Sequence, residues 1–116
     1  MVVWLIGLSG SGKTTLGREL CRLLKAEHPN TVFLDGDEVR AIFGDALGHT
    51  VEDRRRNAER IMRLCDCLSR QGIHVVCAIL SIFHESQRWN REHLQDYFEV
   101  SIEAPLEQLQ ARDVKG

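Results

Sequence analysis

The chain has 116 residues, with 15 Lys and Arg against 17 Asp and Glu, and a formal net charge of -2. This length excludes a two-domain enzyme, so residues 1–116 are treated as a single domain. The near-neutral charge excludes the basic surface of a general nucleic-acid binder, and no apolar run approaches the roughly 20 residues of a membrane span. The apolar run Val2 to Ile6 is too short for a secretion signal. We therefore expect a cytoplasmic protein with no nucleic-acid partner and no membrane association.

Short apolar runs alternate with stretches of helical periodicity along the chain. The run Val2 to Ile6 predicts a strand buried on both faces. A helix over residues 13–26 follows, with leucines at helical spacing at Leu16, Leu20, Leu23 and Leu24. The later predictions are a strand at 31–34, a short helix at 37–43, a helix at 51–71, a strand at 73–80, a helix at 85–95, a strand at 97–102 and a helix beginning near Pro105. The apolar positions of the 51–71 helix are Ala58, Ile61, Met62, Cys65 and Leu68.

This alternation predicts an α/β fold with a parallel sheet, right-handed crossovers and helices on both faces. Ligands of such sheets bind at the carboxyl ends of the strands. The cysteines are predicted to be reduced thiols that act as small buried side chains, because their spacing does not fit a zinc site. They are Cys21, Cys65, Cys67 and Cys77.

Residues 7–14 match the phosphate-loop pattern G-x-x-x-x-G-K-[ST] between a predicted strand and a predicted helix. The glycines allow backbone N–H groups to surround phosphate oxygens, and the helix N-terminus adds positive potential. Lys13 is expected to bridge the β and γ phosphates of ATP, and the Thr14 hydroxyl to ligate Mg²⁺. The non-functional alternative is a glycine-rich turn with an exposed lysine. The predicted strand before the loop and the predicted helix after it disfavour this alternative. The predicted ATP-binding residues are Gly7, Leu8, Ser9, Gly10, Ser11, Gly12, Lys13, Thr14 and Thr15.

A phosphate loop alone does not separate a kinase from a GTPase, a motor or a nucleotide sensor. The third predicted strand leads to Ser81 rather than to a carboxylate, and the sequence has no Asn-Lys-x-Asp motif that would read guanine. Both absences favour a small-molecule kinase. Asp35 ends the strand expected beside the phosphate loop, where a carboxylate can accept a proton from an acceptor hydroxyl or support Mg²⁺. Its simpler interpretation is a helix N-cap, which Asp37 could equally supply.

Basic residues cluster where an anionic acceptor would need them. Helical geometry places Arg54 and Asn57 on one face, while Arg55 and Arg56 point elsewhere and are expected to be solvated. A phosphorylated acceptor needs charge neutralisation opposite the phosphate loop, which favours a binding role for Arg40 and Arg54.

These motifs together resemble the adenylylsulfate kinase family. Residues 7–15 are similar to its GLSGSGKTT, 34–40 to LDGDxxR, and 47–57 to LGFSxxDRxxN. Ser81 falls on the serine of its ISP segment, and residues 104–116 resemble APLxxxxxRDPKG. The resemblance covers essentially the whole chain. It implies a three-layer phosphate-loop NTPase fold with a parallel sheet.

The resemblance implies ATP-dependent transfer of the γ-phosphoryl group to a hydroxyl of adenosine 5'-phosphosulfate, giving 3'-phosphoadenylylsulfate. It assigns catalytic roles to Lys13, Asp35 and Ser81, and a metal role to Thr14 and Asp35. The residues implied for the acceptor nucleotide are Asp37, Arg40, Arg54, Asn57 and Ser81. Ser81 corresponds to a phosphoserine position of the family, yet direct in-line transfer needs no covalent serine and is our expectation. A homodimer is suggested by the resemblance alone.

Several departures from the family pattern concern the acceptor pocket. His49-Thr50 stands where the family has Phe-Ser, and that phenylalanine is expected to stack on the acceptor's adenine. Ile82 replaces a proline, and Gln87 an expected arginine. Residues 77–81 and 89–91 look more like the cytidine diphosphoramidate kinase branch. A cytidine diphosphate derivative is therefore the second candidate acceptor, and a nucleotide-binding module without turnover is the alternative of another class. Because the family continues into a lid and further helices, we expect the domain to be truncated at its C-terminal side.

Overall fold

The computed structural model describes residues 1–7, 12–44, 50–79 and 83–102. The strands are β1 (Val2–Ile6), β2 (Thr31–Asp35), β3 (His74–Ile79) and β4 (Tyr97–Ser101). The helices are α1 (Lys13–Glu27), α2 (Gly36–Ile42), α3 (Val51–Arg70) and α4 (His84–His93). Each predicted element within these ranges is present, with its bounds within two residues of the prediction. The helix predicted near Pro105 lies outside the described residues.

The described strands form one parallel sheet in the order β2-β3-β1-β4. Strand β1 pairs with β3 from Val2↔Val75 to Ile6↔Ile79, and β3 pairs on its other side with β2. The predicted parallel sheet is confirmed. The expectation that Asp35 ends the strand next to β1 is wrong, because β3 lies between β1 and β2. Asp35 still reaches the same edge of the sheet as the phosphate loop, since parallel strands all end there.

Hydrophobic side chains pack on both faces of the sheet, as the near-continuous apolar strands predict. Alternate residues of β1 point to opposite faces: Val2 and Trp4 belong to one core cluster, Val3 and Leu5 to the other. Helix α3 packs against the first cluster, and all five predicted apolar positions of α3 contribute to it. Helix α1 packs against the second cluster. The arrangement is the predicted three-layer α/β fold.

Helix α1 contacts the sheet by only part of the stripe that its leucines predict: Leu20 and Leu24 pack against the second core cluster, and Leu16 and Leu23 do not. Leu16 and Leu23 are 47% and 54% exposed, whereas Gly17 and Cys21 are buried. The reason is the absence of a side chain at Gly17, where a Cβ atom would lie 2.6 Å from Cε1 of Phe33. The helix backbone therefore comes close to β2, and this turns the outer leucines toward solvent.

Three of the four cysteines are buried, as predicted, and Cys67 is exposed. All four are free thiols. Burial raises the pKa of the Cys77 thiol, which keeps it protonated in the core. Among the helices of the described ranges, none is both long and apolar enough to cross a bilayer.

Candidate active site

A cavity of about 290 Å³ opens at the carboxyl ends of β2 and β3. It is lined by Lys13, Thr14, Asp35, Gly36, Asp37, Arg40, Arg54, Asn57, Ala78 and Ile79. Most of these residues were singled out from the sequence; Gly36, Ala78 and Ile79 were not. Ala78 and Ile79 are the last residues of β3. Only the position of a strand end could have indicated them, because they carry no polar side chain.

Lys13 and Thr14 enter the cavity from the first turn of α1. The helix is preceded by Gly12, whose φ of 88° is a left-handed conformation that glycine adopts without strain. The first turn of α1 contains no acidic residue, so the positive end of the helix is not neutralised from within the helix. The Thr14 hydroxyl donates a hydrogen bond to Asp35 Oδ2 at 3.4 Å, which joins the start of α1 to the end of β2.

The Lys13 ammonium group lies in a partly desolvated position. Burial lowers the pKa of Lys13, while the carboxylates of Asp37 and Asp35 act in the opposite direction and raise it. The lysine therefore faces two carboxylates within the same cavity.

Asp35 is the N-cap residue of α2 and also faces the cavity, where its role in the chemistry stays a prediction. Its Oδ1 accepts the backbone N–H of Asp37 at 2.9 Å, which makes Asp35 rather than Asp37 the N-cap of α2. Its Oδ2 meets Thr14 in the cavity. The Asp37 side chain instead accepts a hydrogen bond from Arg40 Nη2 at 3.0 Å. In that ion pair the Asp37 side chain is 86% exposed and the Arg40 side chain only 22%, so the arginine is the more buried of these two lining residues.

Arg54 and Asn57 line the cavity together, as helical geometry predicts. Helix α3 begins after Thr50, whose hydroxyl accepts the Asp53 backbone N–H at 3.1 Å. Asn57 is only 8% exposed, and its Nδ2 donates to the Gly36 carbonyl at 3.1 Å. Its Oδ1 is buried and has no hydrogen-bond partner among the described residues. Asn57 thus ties α3 to the start of α2 in the wall that it shares with Arg54.

Arg55 differs from its sequence prediction. It forms ion pairs with Glu52 at 3.4 Å and with Glu85 at 3.5 Å, and its guanidinium carbon lies 5.0 Å from the centre of the Phe83 ring. Arg56, which is 60% exposed, conforms to the predicted solvated position. The difference arises because α4 packs beside Arg55, a contact that helical spacing within α3 cannot reveal.

The remaining predicted site residues fall into two groups: some lie outside the described ranges, and others are described but do not line the cavity. Leu8, Ser9, Gly10, Ser11 and Ser81 lie outside the described ranges. Gly7 and Gly12, the two glycines of the phosphate-loop pattern, are described but do not line the cavity, and Thr15 is exposed on α1. Their assigned roles stay predictions.

Three features define a phosphate-loop nucleotide-binding protein. They are the three-layer fold with its parallel sheet, the G-x-x-x-x-G-K-T sequence between β1 and α1, and the polar cavity at the strand ends. The model of the adenylylsulphate kinase family matches residues 1–116. The chain belongs to this family.

Two curated relatives carry the names of the two candidate acceptors. The chain is 39% identical over 118 residues to cytidine diphosphoramidate kinase of Campylobacter jejuni, covering 99% of this chain and 67% of that protein. It is 40% identical over 116 residues to adenylyl-sulfate kinase of Picosynechococcus, covering 100% of this chain and 66% of that protein. The chain thus spans about two thirds of the length of these relatives. The adenylyl-sulfate kinases are phosphotransferases with an alcohol group as acceptor.

A solved structure of an APS kinase is also similar to this chain. The Mycobacterium tuberculosis APS kinase in complex with AMPPNP and APS has a TM-score of 0.74 and 30% sequence identity to this chain. The match covers 99% of this chain and 69% of that one. The solved relative therefore binds an ATP analogue and the sulfated nucleotide on this fold.

Proposed function

We propose that this chain carries the phosphoryl-transfer site of an ATP-dependent kinase that phosphorylates a hydroxyl of a small nucleotide. One observation carries the proposal. The cavity gathers Lys13 and Thr14 from α1, Asp35 from the end of β2, and Arg54 from α3. Phosphoryl transfer depends mainly on positioning and charge stabilisation, and this set provides cations for phosphates together with an oriented carboxylate.

Lys13 and the start of α1 form the ATP side of the site. Lys13 pairs with the β and γ phosphates, and the N-terminus of α1 adds its positive potential. Thr14 and Asp35 fit Mg²⁺, because a hydroxyl and a carboxylate 3.4 Å apart supply the hard oxygen ligands that this ion takes alongside substrate phosphates. Bound there, Mg²⁺ would neutralise charge on the phosphates.

Arg40, Arg54 and Asn57 form the acceptor side. The two guanidinium groups bind the acceptor's anionic groups, and Asn57 completes the same wall of the cavity, where its Nδ2 is bound to the Gly36 carbonyl. The acceptor oxygen then forms a bond to the γ phosphorus while the bond from that phosphorus to the β–γ bridging oxygen breaks. ADP leaves with the electron pair, and Asp35 receives the hydroxyl proton.

The proposal is tested by separating the two roles of Asp35. Asparagine caps helices as well as aspartate does, but it cannot take a proton. In the full-length protein, Asp35→Asn should therefore melt within a few degrees of wild type and lose about 10²- to 10⁴-fold in kcat. Glu38→Gln, which changes an exposed carboxylate of the same helix, is the matched control and should leave both values unchanged. Full turnover by a folded Asp35→Asn variant would refute the role.

Adenosine 5'-phosphosulfate is the proposed acceptor, and its product is 3'-phosphoadenylylsulfate, as in sulfate assimilation. The support is the family match together with relatives named adenylyl-sulfate kinase. The second candidate is a cytidine diphosphate derivative such as cytidine diphosphoramidate, favoured by the Campylobacter relative and by His49 in place of the family phenylalanine. Steady-state kinetics with ATP and each acceptor decide between them. Preference for the cytidine compound by orders of magnitude would overturn the first choice, and ATP binding without turnover of either would favour a non-catalytic module.

The same proposal includes a cytoplasmic location, supported by the requirement for ATP, and a homodimer, supported by the family resemblance.

The proposal also includes direct transfer of the phosphoryl group from ATP to the acceptor. Incubation with radiolabelled ATP without acceptor tests direct transfer: no label should remain on the protein. Stable label that Ser81→Ala removes would indicate a covalent phosphoserine instead.

A further inference from the structure

Arg55 joins two helices at the edge of the active-site cavity. Its Nε is shielded from solvent and lies 3.5 Å from Oε1 of Glu85, in the first turn of α4. Its Nη1 lies 3.4 Å from Oε2 of Glu52, one turn back in α3. The guanidinium group also lies over the Phe83 ring. One side chain therefore makes three contacts, two of them to the start of α4.

The α4 end of this contact is fixed in the core. Phe83 is the N-cap residue of α4 and is only 4% exposed. Its carbonyl accepts the Ser86 backbone N–H at 3.2 Å, which ties the Phe83 backbone to the first turn of α4. Phe83 follows four residues after Ile79, which lines the cavity at the end of β3. Phe83 and Ile79 belong to the same buried cluster, so the start of α4 and the end of β3 pack into one core.

The α3 end of the contact belongs to the acceptor side of the cavity. Arg55 directly follows Arg54 and precedes Asn57 by two residues, and both of those line the cavity while Arg55 does not. A shift or rotation of this part of α3 would move both acceptor-binding side chains together. Within α3, Arg55 contacts Glu52, and its contacts to Phe83 and Glu85 relate this turn to α4, while the hydrogen bond from Asn57 to Gly36 relates it to α2.

We propose that Arg55 is a positioning residue that clamps the start of α4 against α3 and so fixes Arg54 and Asn57 relative to the carboxyl end of β3. This inference rests on the proposed function, because it assigns those two residues to the acceptor. Arginine suits the role because its planar guanidinium stacks on an aromatic ring while its edge meets carboxylates. Loss of the clamp affects the acceptor side and leaves the ATP side, built on α1, unchanged.

The test is steady-state kinetics of the full-length protein, with ATP and acceptor varied separately. We expect Arg55→Ala to raise the acceptor KM about fivefold or more and to leave the ATP KM within about twofold. Arg55→Lys keeps the charge over the ring and should recover part of the loss. Arg56→Ala is the matched control, because Arg56 also faces Glu52, at 3.9 Å, and is 60% exposed. It should leave both KM values unchanged.

Misfolding and misplacement give different results in this assay. An unfolded fraction lowers kcat without changing KM, because inactive molecules do not bind substrate. Adding Glu85→Gln to Arg55→Ala should cost less than the sum of the single changes, since the two side chains share one contact. An unchanged acceptor KM in Arg55→Ala, or equal rises in both KM values, would overturn the inference alone. A wild-type protein that turns over no nucleotide acceptor would overturn the proposed function and the inference with it.

Discussion

The hydrogen bond between Asn57 and Gly36 gives the sharpest stability prediction. Asn57→Ala removes a buried donor from the Gly36 carbonyl, which it meets at 3.1 Å. The loss comprises the hydrogen bond itself and the desolvation of a carbonyl left without its partner, together about 1–3 kcal/mol. For a domain of this size, each kcal/mol lowers the Tm by roughly 4–8 °C. Because Gly36 directly follows Asp35, the same change loosens the N-terminus of α2.

Urea unfolding followed by circular dichroism measures this loss, with the midpoint and the slope compared between variants. Glu59→Ala, an exposed change on the same helix, is the control and should stay within about 0.5 kcal/mol of wild type. Asn57→Asp keeps the shape but places a carboxylate oxygen against the carbonyl, so it should cost at least as much as alanine. If Asn57→Ala is no less stable than the Glu59→Ala control, the hydrogen bond does not support α2 and the reasoning fails.

Three further predictions concern Lys13 in the cavity, the packing of α1 at Gly17 and the N-cap of α3. Burial lowers the pKa of Lys13, and only its charged form pairs with phosphate, so ATP affinity measured by calorimetry should fall as the pH rises toward that lowered pKa. Lys13→Arg should abolish this fall, and a persisting fall would assign it to another group. Gly17→Ala should destabilise the fold by about 1–3 kcal/mol in thermal melts, because its Cβ would lie 2.6 Å from Phe33; an unchanged Tm would mean that the ring gives way. Thr50→Ala should lower the free energy of unfolding by about 1 kcal/mol through loss of the α3 cap, whereas Thr50→Ser keeps the hydroxyl group and should be as stable as wild type. Equal stability of wild type and both variants would contradict the cap.

The elements of the fold were predictable because each carries its own local signal. The inner strands β1 and β3 are buried on both faces and read as continuous apolar runs, and α3 shows a regular stripe of core residues from Ala58 to Leu68. The facing of α1 was not predictable in the same way. Four leucines predict one stripe, but only Leu20 and Leu24 pack against the core, because the close packing of Gly17 against Phe33 of β2 sets the side of α1 that faces the sheet.

The residues of the cavity were predictable to the extent that they follow strand ends. Lys13, Asp35 and Arg54 occupy sequence positions that any parallel sheet brings to one edge. The order of the strands and the contacts of Arg55 depend on how elements pack, and the spacing within one helix contains no information about a neighbouring helix. Arg55 was therefore assigned to solvent, although it holds Phe83 and Glu85.

The charges in the cavity explain why the hydrogen bond that Asp35 makes as the N-cap of α2 matters for its proposed role. In the structure the carboxylates of Asp35 and Asp37 both act on the Lys13 ammonium. On the proposed mechanism the phosphates of ATP take over Lys13, and Asp35 loses an electrostatic partner at the moment when its orientation matters most. The hydrogen bond from the Asp37 N–H to Asp35 Oδ1 is independent of Lys13 and persists. The helix cap that seemed the simpler alternative to a catalytic role is thus what would hold the carboxylate in place for proton transfer.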